Sequence, residues 1–361
     1  MKNKINCIIF AAIIIFGALL CLFLPKSGFS ESERRVLATL PEFSAENVFS
    51  GSFSENFEEY AADNFPFRDS FRTIKAYTSY YLLGLSDNNG LFAQDGHISK
   101  IEYPQNTPML DHAAEKFEYI NDSFISKTDA DVYLSVVPDK SFFLDTLSLD
   151  YEAIASYMSE RMPYAEYIDI FETLSLSDYY TTDSHWRQEK ISKVAEKISQ
   201  ALGCDLTDGY SVKELDIPFY GVYSGQSALV TAPDRISYIT NDMLSDCVVK
   251  KYDSGKPETA YMYDFEKAEG RDPYEFFLSG NSAILTIENP EETSGRELII
   301  FRDSFASSLT HYLVGGYSKI TLADIRYVRS DMLASLVDFA NADEVLFLYS
   351  ASLLNNSLAL K

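Results

Sequence analysis

Residues 298–309 read Leu-Ile-Ile-Phe-Arg-Asp-Ser-Phe-Ala-Ser-Ser-Leu. Four large apolar residues come first, three polar or charged residues follow, and the remainder suits a helix. A short apolar run bounded by polar residues is typical of a strand that is buried on both faces of a parallel sheet. The stretch therefore predicts a buried strand, a tight turn and a helix, with the hydroxyl of Ser304 exposed at the start of that helix.

Similar apolar runs recur along the chain and alternate with stretches of helical periodicity. This alternation is the pattern of a parallel sheet whose strands are joined by crossover helices. Residues 191–202 place apolar side chains on one helical face, and Gly203 is positioned to end that helix. We predict an α/β fold with a doubly wound parallel sheet of about five strands, at residues 132–137, 167–170, 298–301, 320–323 and 345–349.

The same patterns predict three regions. Residues 1–26 form a membrane anchor with a short cytoplasmic tip. Residues 27–109 form a linker and an N-terminal helical region, which includes a helix pair with Pro66 near the start of the second helix. Residues 110–361 form the α/β domain, and the alternation breaks down at about residues 205–296, which we interpret as an insertion.

The anchor is predicted from the segment Ile5 to Leu24, which is apolar, carries no charge and follows two lysines. Roughly 20 residues are needed to cross a bilayer as a helix. Because basic residues flank the segment on its N-terminal side, we predict one transmembrane helix with the C-terminal domain outside the cell. The alternative is a signal peptide that is cleaved after Gly28 or Ser30.

The charge of the chain limits its partners. Its 54 acidic and 30 basic residues give a formal net charge of -24. This charge repels phosphate groups, so it argues against nucleic acid binding and against electrostatic docking on anionic lipids. A neutral or small substrate fits this field better than a polyanion.

The four cysteines predict no metal centre. Cys7 and Cys21 lie in the apolar segment, and only Cys204 and Cys247 are available to meet outside the cell. No pair of cysteines has the spacing of a metal site, so we predict neither zinc nor haem, and no cofactor.

A serine nucleophile needs a general base, which is most often histidine. Of four histidines, His185 lies in residues 181–186, which read Thr-Thr-Asp-Ser-His-Trp. Asp183 is two residues earlier, where a bend would bring its carboxylate to the imidazole and fix the tautomer. The sequence thus predicts Ser304, His185 and Asp183 as a catalytic triad. The alternative is that Ser304 and Asp183 are helix N-caps.

Two short motifs resemble those of a known family. Residues 183–186 look like the signature of the bacterial DHHW proteins, and residues 302–305 resemble the serine block of that family. The family is similar to the alginate O-acetyltransferases AlgJ and AlgX and implies an SGNH-hydrolase-like domain. The resemblance also includes the motifs at residues 33–35, 63–68 and 324–327. Ser184 departs from the pattern, because the family name implies histidine there.

The resemblance also implies an activity. It implies a serine-dependent O-acetyltransferase that modifies a cell-surface or secreted polysaccharide, as in exopolysaccharide biosynthesis. Ser304 would carry the acetyl group, His185 would act as base and then as acid, and Asp183 would orient His185. The acetyl donor would come through a multispanning membrane O-acyltransferase, and the acceptor would be a sugar hydroxyl.

Three further residues are candidates for substrate binding or for the oxyanion hole. They are Asn281, Arg326 and Trp186, which join the backbone N–H of Ser304 in this role, and each also has a purely structural interpretation. Two other functions remain open on the same residues. One is a carbohydrate acetyl esterase with water as the acceptor, and the other is a catalytically silent polysaccharide-binding or scaffold protein of the envelope.

Overall fold

The computed structural model describes residues 2–23 and 25–361. Met1 and Leu24, the second of which ends the predicted apolar segment, lie outside the described residues. In chain order the helices and strands are α1 (Lys2–Phe23), β1 (Phe29–Ser30), β2 (Arg35–Val36), α2 (Ala45–Ser50), α3 (Ser52–Asp63), α4 (Arg68–Tyr77), β3 (Leu91–Gln94), β4 (His97–Lys100), α5 (Thr107–Ile120), β5 (Asp131–Val137), α6 (Tyr151–Arg161), β6 (Glu166–Tyr167), α7 (Ser192–Leu202), β7 (Ser211–Glu214), α8 (Val222–Ser227), β8 (Ser237–Thr240), α9 (Asp242–Asp246), β9 (Val248–Lys251), β10 (Glu258–Ala260), α10 (Phe265–Ala268), β11 (Ile284–Glu288), β12 (Glu297–Arg302), α11 (Ala306–Leu313), β13 (Lys319–Ala323), β14 (Glu344–Ser350) and α12 (Ala351–Asn355).

The chain divides into two compact units. Unit 1 comprises Met1–Phe92 and Val222–Ala232, and unit 2 comprises Ala93–Gly221 and Pro233–Lys361. The domain boundaries that the sequence predicts, after residues 26 and 109, stay predictions.

Unit 2 is built on an eight-stranded mixed sheet with the order β10-β9-β11-β13-β12-β14-β5-β6. The strands from β13 to β6 are parallel. Four of them match predicted runs, whereas β6 shares only Tyr167 with the predicted run at residues 167–170. Strands β11, β9 and β10 extend the sheet in antiparallel pairing.

The sheet is thus larger than the predicted five strands, because residues 205–296, which the sequence predicts to be an insertion, supply three more strands. These strands are short, and two of them carry lysine, threonine or glutamate beside their apolar residues. They therefore lack the continuous apolar run that marks a central parallel strand.

The core of unit 2 lies on both faces of the parallel strands. In β12, Leu298 and Ile300 are fully buried, and the ring of Phe301 stacks on that of Phe347 in β14 with centroids 4.9 Å apart. Helix α7 buries the apolar face that its periodicity predicts. Gly203 ends this helix in the left-handed conformation, with φ of 63°, as predicted.

Unit 1 contains α1 and the predicted helix pair, which is α3 and α4 with Pro66 between them. Among the described residues, α1 is the one helix that is long and apolar enough to cross a membrane. Asp63 at the end of α3 accepts a hydrogen bond from Arg35 at 2.8 Å and another from the N–H of Ala38 at 2.9 Å. These contacts tie the segment after α1 to the helix pair.

Candidate active site

Ser304 lies in the turn that connects β12 to α11, at the carboxyl edge of the parallel strands. Helix α11 begins at Ala306, and no side chain caps its first turn. The hydroxyl of Ser304 is instead 2.7 Å from Nε2 of His185. The structure therefore does not support the alternative in which Ser304 is an N-cap.

His185 joins Ser304 to Asp183. Its Nδ1 is 2.6 Å from Oδ1 of Asp183, and the same oxygen accepts the backbone N–H of His185 at 3.1 Å. Because the carboxylate accepts the Nδ1 proton, Nε2 is left as an acceptor and the Ser304 hydroxyl donates to it. The Asp183 side chain is 2% exposed and that of His185 is 14% exposed, so the carboxylate is buried while the imidazole reaches solvent.

Aromatic rings fix the plane of the imidazole. The ring of Tyr274 stacks on the imidazole of His185, with ring centroids 3.8 Å apart and an angle of 9° between the planes. The ring of Phe305 is tilted against the same imidazole, with centroids 5.1 Å apart. The Tyr274 hydroxyl is 3.1 Å from that of Ser308 in α11. A stacked ring limits rotation of the imidazole, so Nε2 stays directed at Ser304.

Asp303 holds the turn that carries Ser304. Its Oδ1 accepts the N–H of Phe305 at 3.0 Å, and its Oδ2 accepts the N–H of Ser350 at 2.8 Å. The carboxylate therefore bridges the ends of β12 and β14. Arg302 is buried just before it and donates to the Ser307 hydroxyl at 2.7 Å.

Two buried charges hold the loop that precedes His185. Lys140 is 1% exposed, and its ammonium donates to the carbonyls of Tyr180 at 2.9 Å and Thr181 at 3.2 Å. Burial lowers the pKa of Lys140 to about 7, while the negative charges of Asp183 and Asp234 oppose this shift.

Asp234 binds the same loop by accepting hydrogen bonds from its N–H and hydroxyl groups. Its Oδ1 accepts from the N–H and hydroxyl of Thr181 at 2.9 and 2.8 Å. Its Oδ2 accepts from the N–H and hydroxyl of Thr182 at 2.8 and 2.6 Å. Four hydrogen bonds to one carboxylate fix the backbone immediately before Asp183.

Gly221 packs against this loop at a distance that excludes a side chain. A Cβ at this position would lie 2.3 Å from the carbonyl oxygen of Thr182 and 2.4 Å from Cβ of Asp183. The N–H of Gly221 donates to the Thr182 hydroxyl at 2.8 Å. Close approach of the two backbones explains why glycine is needed here.

The remaining predicted site residues lie elsewhere. Trp186 is fully buried, and its indole N–H donates to the Ser308 hydroxyl at 2.9 Å, so it packs in the core. The guanidinium of Arg326 is paired with Asp324 at 2.6 Å. Asn281 is exposed. No hydrogen bond of the described residues connects Arg326 or Asn281 to Ser304 or His185.

Ser184, where the DHHW pattern has histidine, has a weak contact with the site. Its hydroxyl is 3.5 Å from Oδ1 of Asp183, which is at the outer limit of a hydrogen bond. The position that departs from the family pattern is therefore a minor neighbour of Asp183.

Three residues that contact the predicted triad or its loop were given no role from the sequence: Tyr274, Lys140 and Asp234. Lys140 follows β5 at the carboxyl edge of the sheet, where polar residues are expected to converge. Tyr274 and Asp234 lie in the insertion, and no local pattern distinguishes them from other residues there.

The described residues contain no group of three or more His, Cys, Asp or Glu side chains placed to bind a metal ion. Cys204 and Cys247 are free thiols in the structure.

By sequence, the chain matches no protein-family model and no curated protein. By structure, it is similar to a DHHW family protein from Eubacterium siraeum, with a TM-score of 0.60, 16% identity, and coverage of 76% of this chain and 95% of that one. It is also similar to Bacillus cereus PatB1 with a sulfonyl adduct, with a TM-score of 0.58, 18% identity, and coverage of 73% and 95%. The O-acetyltransferase domain of Pseudomonas putida AlgJ matches with a TM-score of 0.45, 10% identity, and coverage of 74% and 92%.

The two stronger matches define the class of fold. Each extends over nearly the whole of the matched protein, so the chain shares its mixed α/β fold with the DHHW protein and with PatB1. The predicted resemblance to the DHHW proteins is thus confirmed at the level of the fold.

Proposed function

We propose that this chain is an extracytoplasmic serine O-acetyltransferase of the SGNH type, with Ser304 as nucleophile, His185 as general base and acid, and Asp183 as the residue that orients His185. The observation that carries the proposal is the continuous hydrogen-bonded series from Ser304 through His185 to Asp183, with distances of 2.7 and 2.6 Å. Both distances are within the reach that proton transfer and tautomer control require.

In the first half-reaction, the Ser304 oxygen attacks the carbonyl carbon of an acetyl donor, and its proton passes to Nε2 of His185. The negative charge of Asp183 stabilises the imidazolium that forms. The bond between the acetyl carbon and the donor oxygen then breaks, and His185 returns the proton to that oxygen. The product is acetylated Ser304 and a free donor alcohol.

In the second half-reaction, the hydroxyl of a sugar acceptor gives its proton to His185 and attacks the acetyl carbon. The Ser304 oxygen leaves and takes the proton back from His185, so the enzyme is regenerated and the sugar carries an O-acetyl group. The N–H of Ser304, just ahead of α11, is the candidate donor to the oxyanion in both steps.

Lys140 and Asp234 act in this scheme as positioning residues. Both bind the loop that contains Asp183. The charges of Lys140 and Asp183 attract each other, because the negative charge of Asp183 opposes the loss of the Lys140 proton.

The substrates and the location follow from the resemblance to the DHHW proteins. The acceptor is a polysaccharide of the cell surface or a secreted polysaccharide, and the donor is a multispanning membrane O-acyltransferase that presents acetyl groups outside the cell. Helix α1 is the single-pass anchor that keeps unit 2 near such a donor. The capture of PatB1 as a sulfonyl adduct makes sulfonyl reagents useful probes for Ser304.

The proposal is tested by following the acetyl group. The full chain is incubated with an activated acetyl ester and a set of neutral oligosaccharides, and both are analysed by mass spectrometry. We expect acetylated oligosaccharide with the wild type and none with Ser304→Ala. Release of free acetate without acetylated sugar would identify an esterase. Absence of any acetyl-enzyme in folded protein would leave only a binding or scaffold role.

A further inference from the structure

Helix α4 and the π-helical turn that follows it, Thr78–Leu82, carry large apolar side chains on their solvent side. Phe71, Ile74, Tyr81 and Leu82 are 54, 61, 77 and 78% exposed. We call these four residues the outer face. Helices of water-soluble proteins normally turn such side chains toward the core. The outer face of α4 is therefore oriented opposite to the usual pattern.

The inner face of α4 is polar and is bound to the rest of unit 1. The guanidinium of Arg68 is 2.5 Å from Glu33, and that of Arg72 is 3.3 Å from the same carboxylate. Arg72 also donates to the carbonyl of Gly225 at 2.9 Å. Rotation of α4 to bury Phe71 and its neighbours would break these contacts, so the apolar side chains are held outward.

The outer face begins next to the end of α1. Leu20 and Cys21 of α1 line a cavity of about 250 Å³ together with Phe65 and Phe67, which directly precede α4. The ring of Phe65 packs on Phe71 with centroids 5.6 Å apart. Apolar side chains at the end of the proposed membrane helix and just before α4 therefore line one cavity, together with the polar residues Lys26, Asp63 and Asn64.

We propose that the outer face of α4 lies on the outer surface of the bilayer that α1 crosses, with its side chains among the lipid headgroups and the first acyl carbons. This proposal rests on the proposed membrane anchor. Aromatic and aliphatic side chains of an amphipathic helix are stabilised at this depth. The net charge of -24 disfavours anionic headgroups, so the contact is apolar, suits zwitterionic lipid and does not depend on salt.

Quenching by brominated lipids tests the contact directly. The full chain is placed in nanodiscs of zwitterionic phosphatidylcholine, with or without bromine on the acyl chains. Its native tryptophan, Trp186, is buried and gives a constant background. Three variants each add one reporter. Ile74→Trp lies on the outer face, Phe16→Trp lies within α1, and Val212→Trp lies on an exposed strand of unit 2.

We expect brominated lipid to quench Ile74→Trp and Phe16→Trp and to leave Val212→Trp unchanged, with the same result at low and high salt. Quenching of Phe16→Trp alone would overturn the lipid contact of α4 while the anchor stands. If, in addition, the fluorescence emission of Ile74→Trp shifted to the blue as the protein concentration rose, a second copy of this chain would cover the outer face. Quenching of none of the three would overturn the anchor itself.

Discussion

The two segments that form the site are held in different ways. The turn at residues 302–305 is fixed by the strand that precedes it and by one carboxylate, Asp303, which bonds backbone groups of its own turn and of the adjacent strand. The loop at residues 180–185 belongs to no regular element, and it is fixed by Lys140, Asp234 and Gly221 from distant parts of the chain. Ser304, the proposed nucleophile, is thus placed mainly by the strand before it and by its neighbour Asp303, whereas His185, the proposed base, is placed by contacts from distant parts of the chain.

The largest effect in this comparison should come from Asp183 in the second segment. Asp183→Asn leaves an amide where the imidazolium needs a negative charge, and the wrong tautomer of His185 becomes available. We expect turnover to fall on the order of 10⁴-fold. Circular dichroism should show a fold like that of the wild type. Ser184→Ala is the matched control and should keep its activity, because that hydroxyl is 3.5 Å from Asp183. Equal turnover of Asp183→Asn and wild type would contradict the triad.

Gly221→Ala should test the claim that distant backbone places the base. The added methyl group collides with Thr182 and Asp183, so the loop has to shift while Ser304 stays in place. A displacement of this kind lowers turnover by about 10²-fold. Gly28→Ala is the control, because a Cβ at that position meets no atom within 4 Å. If Gly221→Ala kept full activity and a wild-type thermal midpoint, the close contact would not be needed.

Two variants that each remove one charge, of opposite sign, should move the acid limb of the pH–rate profile in opposite directions. Lys140 faces Asp183 and Asp234, and its charge also lowers the pKa of His97, although burial is the larger cause of that shift. Lys140→Met removes a positive charge, so the Asp183–His185 pair holds its proton to higher pH and the acid limb moves to higher pH. Asp234→Asn removes a negative charge, so the acid limb moves to lower pH.

The profile is read as kcat/KM for a small acetyl ester, which reports the free enzyme. Below pH 7 Lys140 is charged, so the effect is expected in the acid range. A purely structural role predicts lower activity in both variants without a shift of either limb. A shift of the same sign in both would also contradict the charge argument. The NMR titration of His185 gives the same answer without turnover.

The last prediction concerns the stability of the fold beside the site and leaves turnover aside. Burial, and then the charge of Glu102, raise the pKa of Asp139 from 3.8 to about 8. Between these values the folded state keeps a proton that the unfolded state releases, so the free energy of unfolding falls as the pH rises, by up to ~1.4 kcal/mol per pH unit. Asp139→Asn should remove this dependence. Urea unfolding of both proteins at pH 5 and pH 8 measures this dependence. If the free energy of unfolding changed equally in the wild type and in Asp139→Asn between these pH values, Asp139 would be ionised throughout the range.

The comparison also shows what the sequence can predict. Four of the five parallel strands, and the placement of Ser304 after one of them, follow from continuous apolar runs, which are typical of strands buried on both faces. The pairing of Asp183 with His185 is local as well, because the two residues are only two positions apart and a single turn brings the carboxylate to the imidazole. These features need no knowledge of the rest of the chain.

The remaining features depend on contacts between residues far apart in sequence. Tyr274 stacks on His185 and Asp234 binds Thr181, yet both residues come from an insertion whose short strands and loops have no periodic pattern. Trp186 illustrates the reverse case: it directly follows His185 of the proposed triad in sequence, but its side chain packs in the core. Proximity in sequence is therefore a poor guide to which aromatic residue contacts the imidazole.

The central claim is that Ser304 carries the acetyl group, and peptide mapping of the acetyl-enzyme tests it most directly. Wild type, Ser304→Ala and the nearby control Ser307→Ala are mixed briefly with an activated acetyl ester, quenched in acid and digested. We predict a single acetyl group on the peptide that contains Ser304 in the wild type and in Ser307→Ala, and none in a folded Ser304→Ala protein. An acetyl group on another residue of the wild type, or a Ser304→Ala variant that still turns over, would contradict the account.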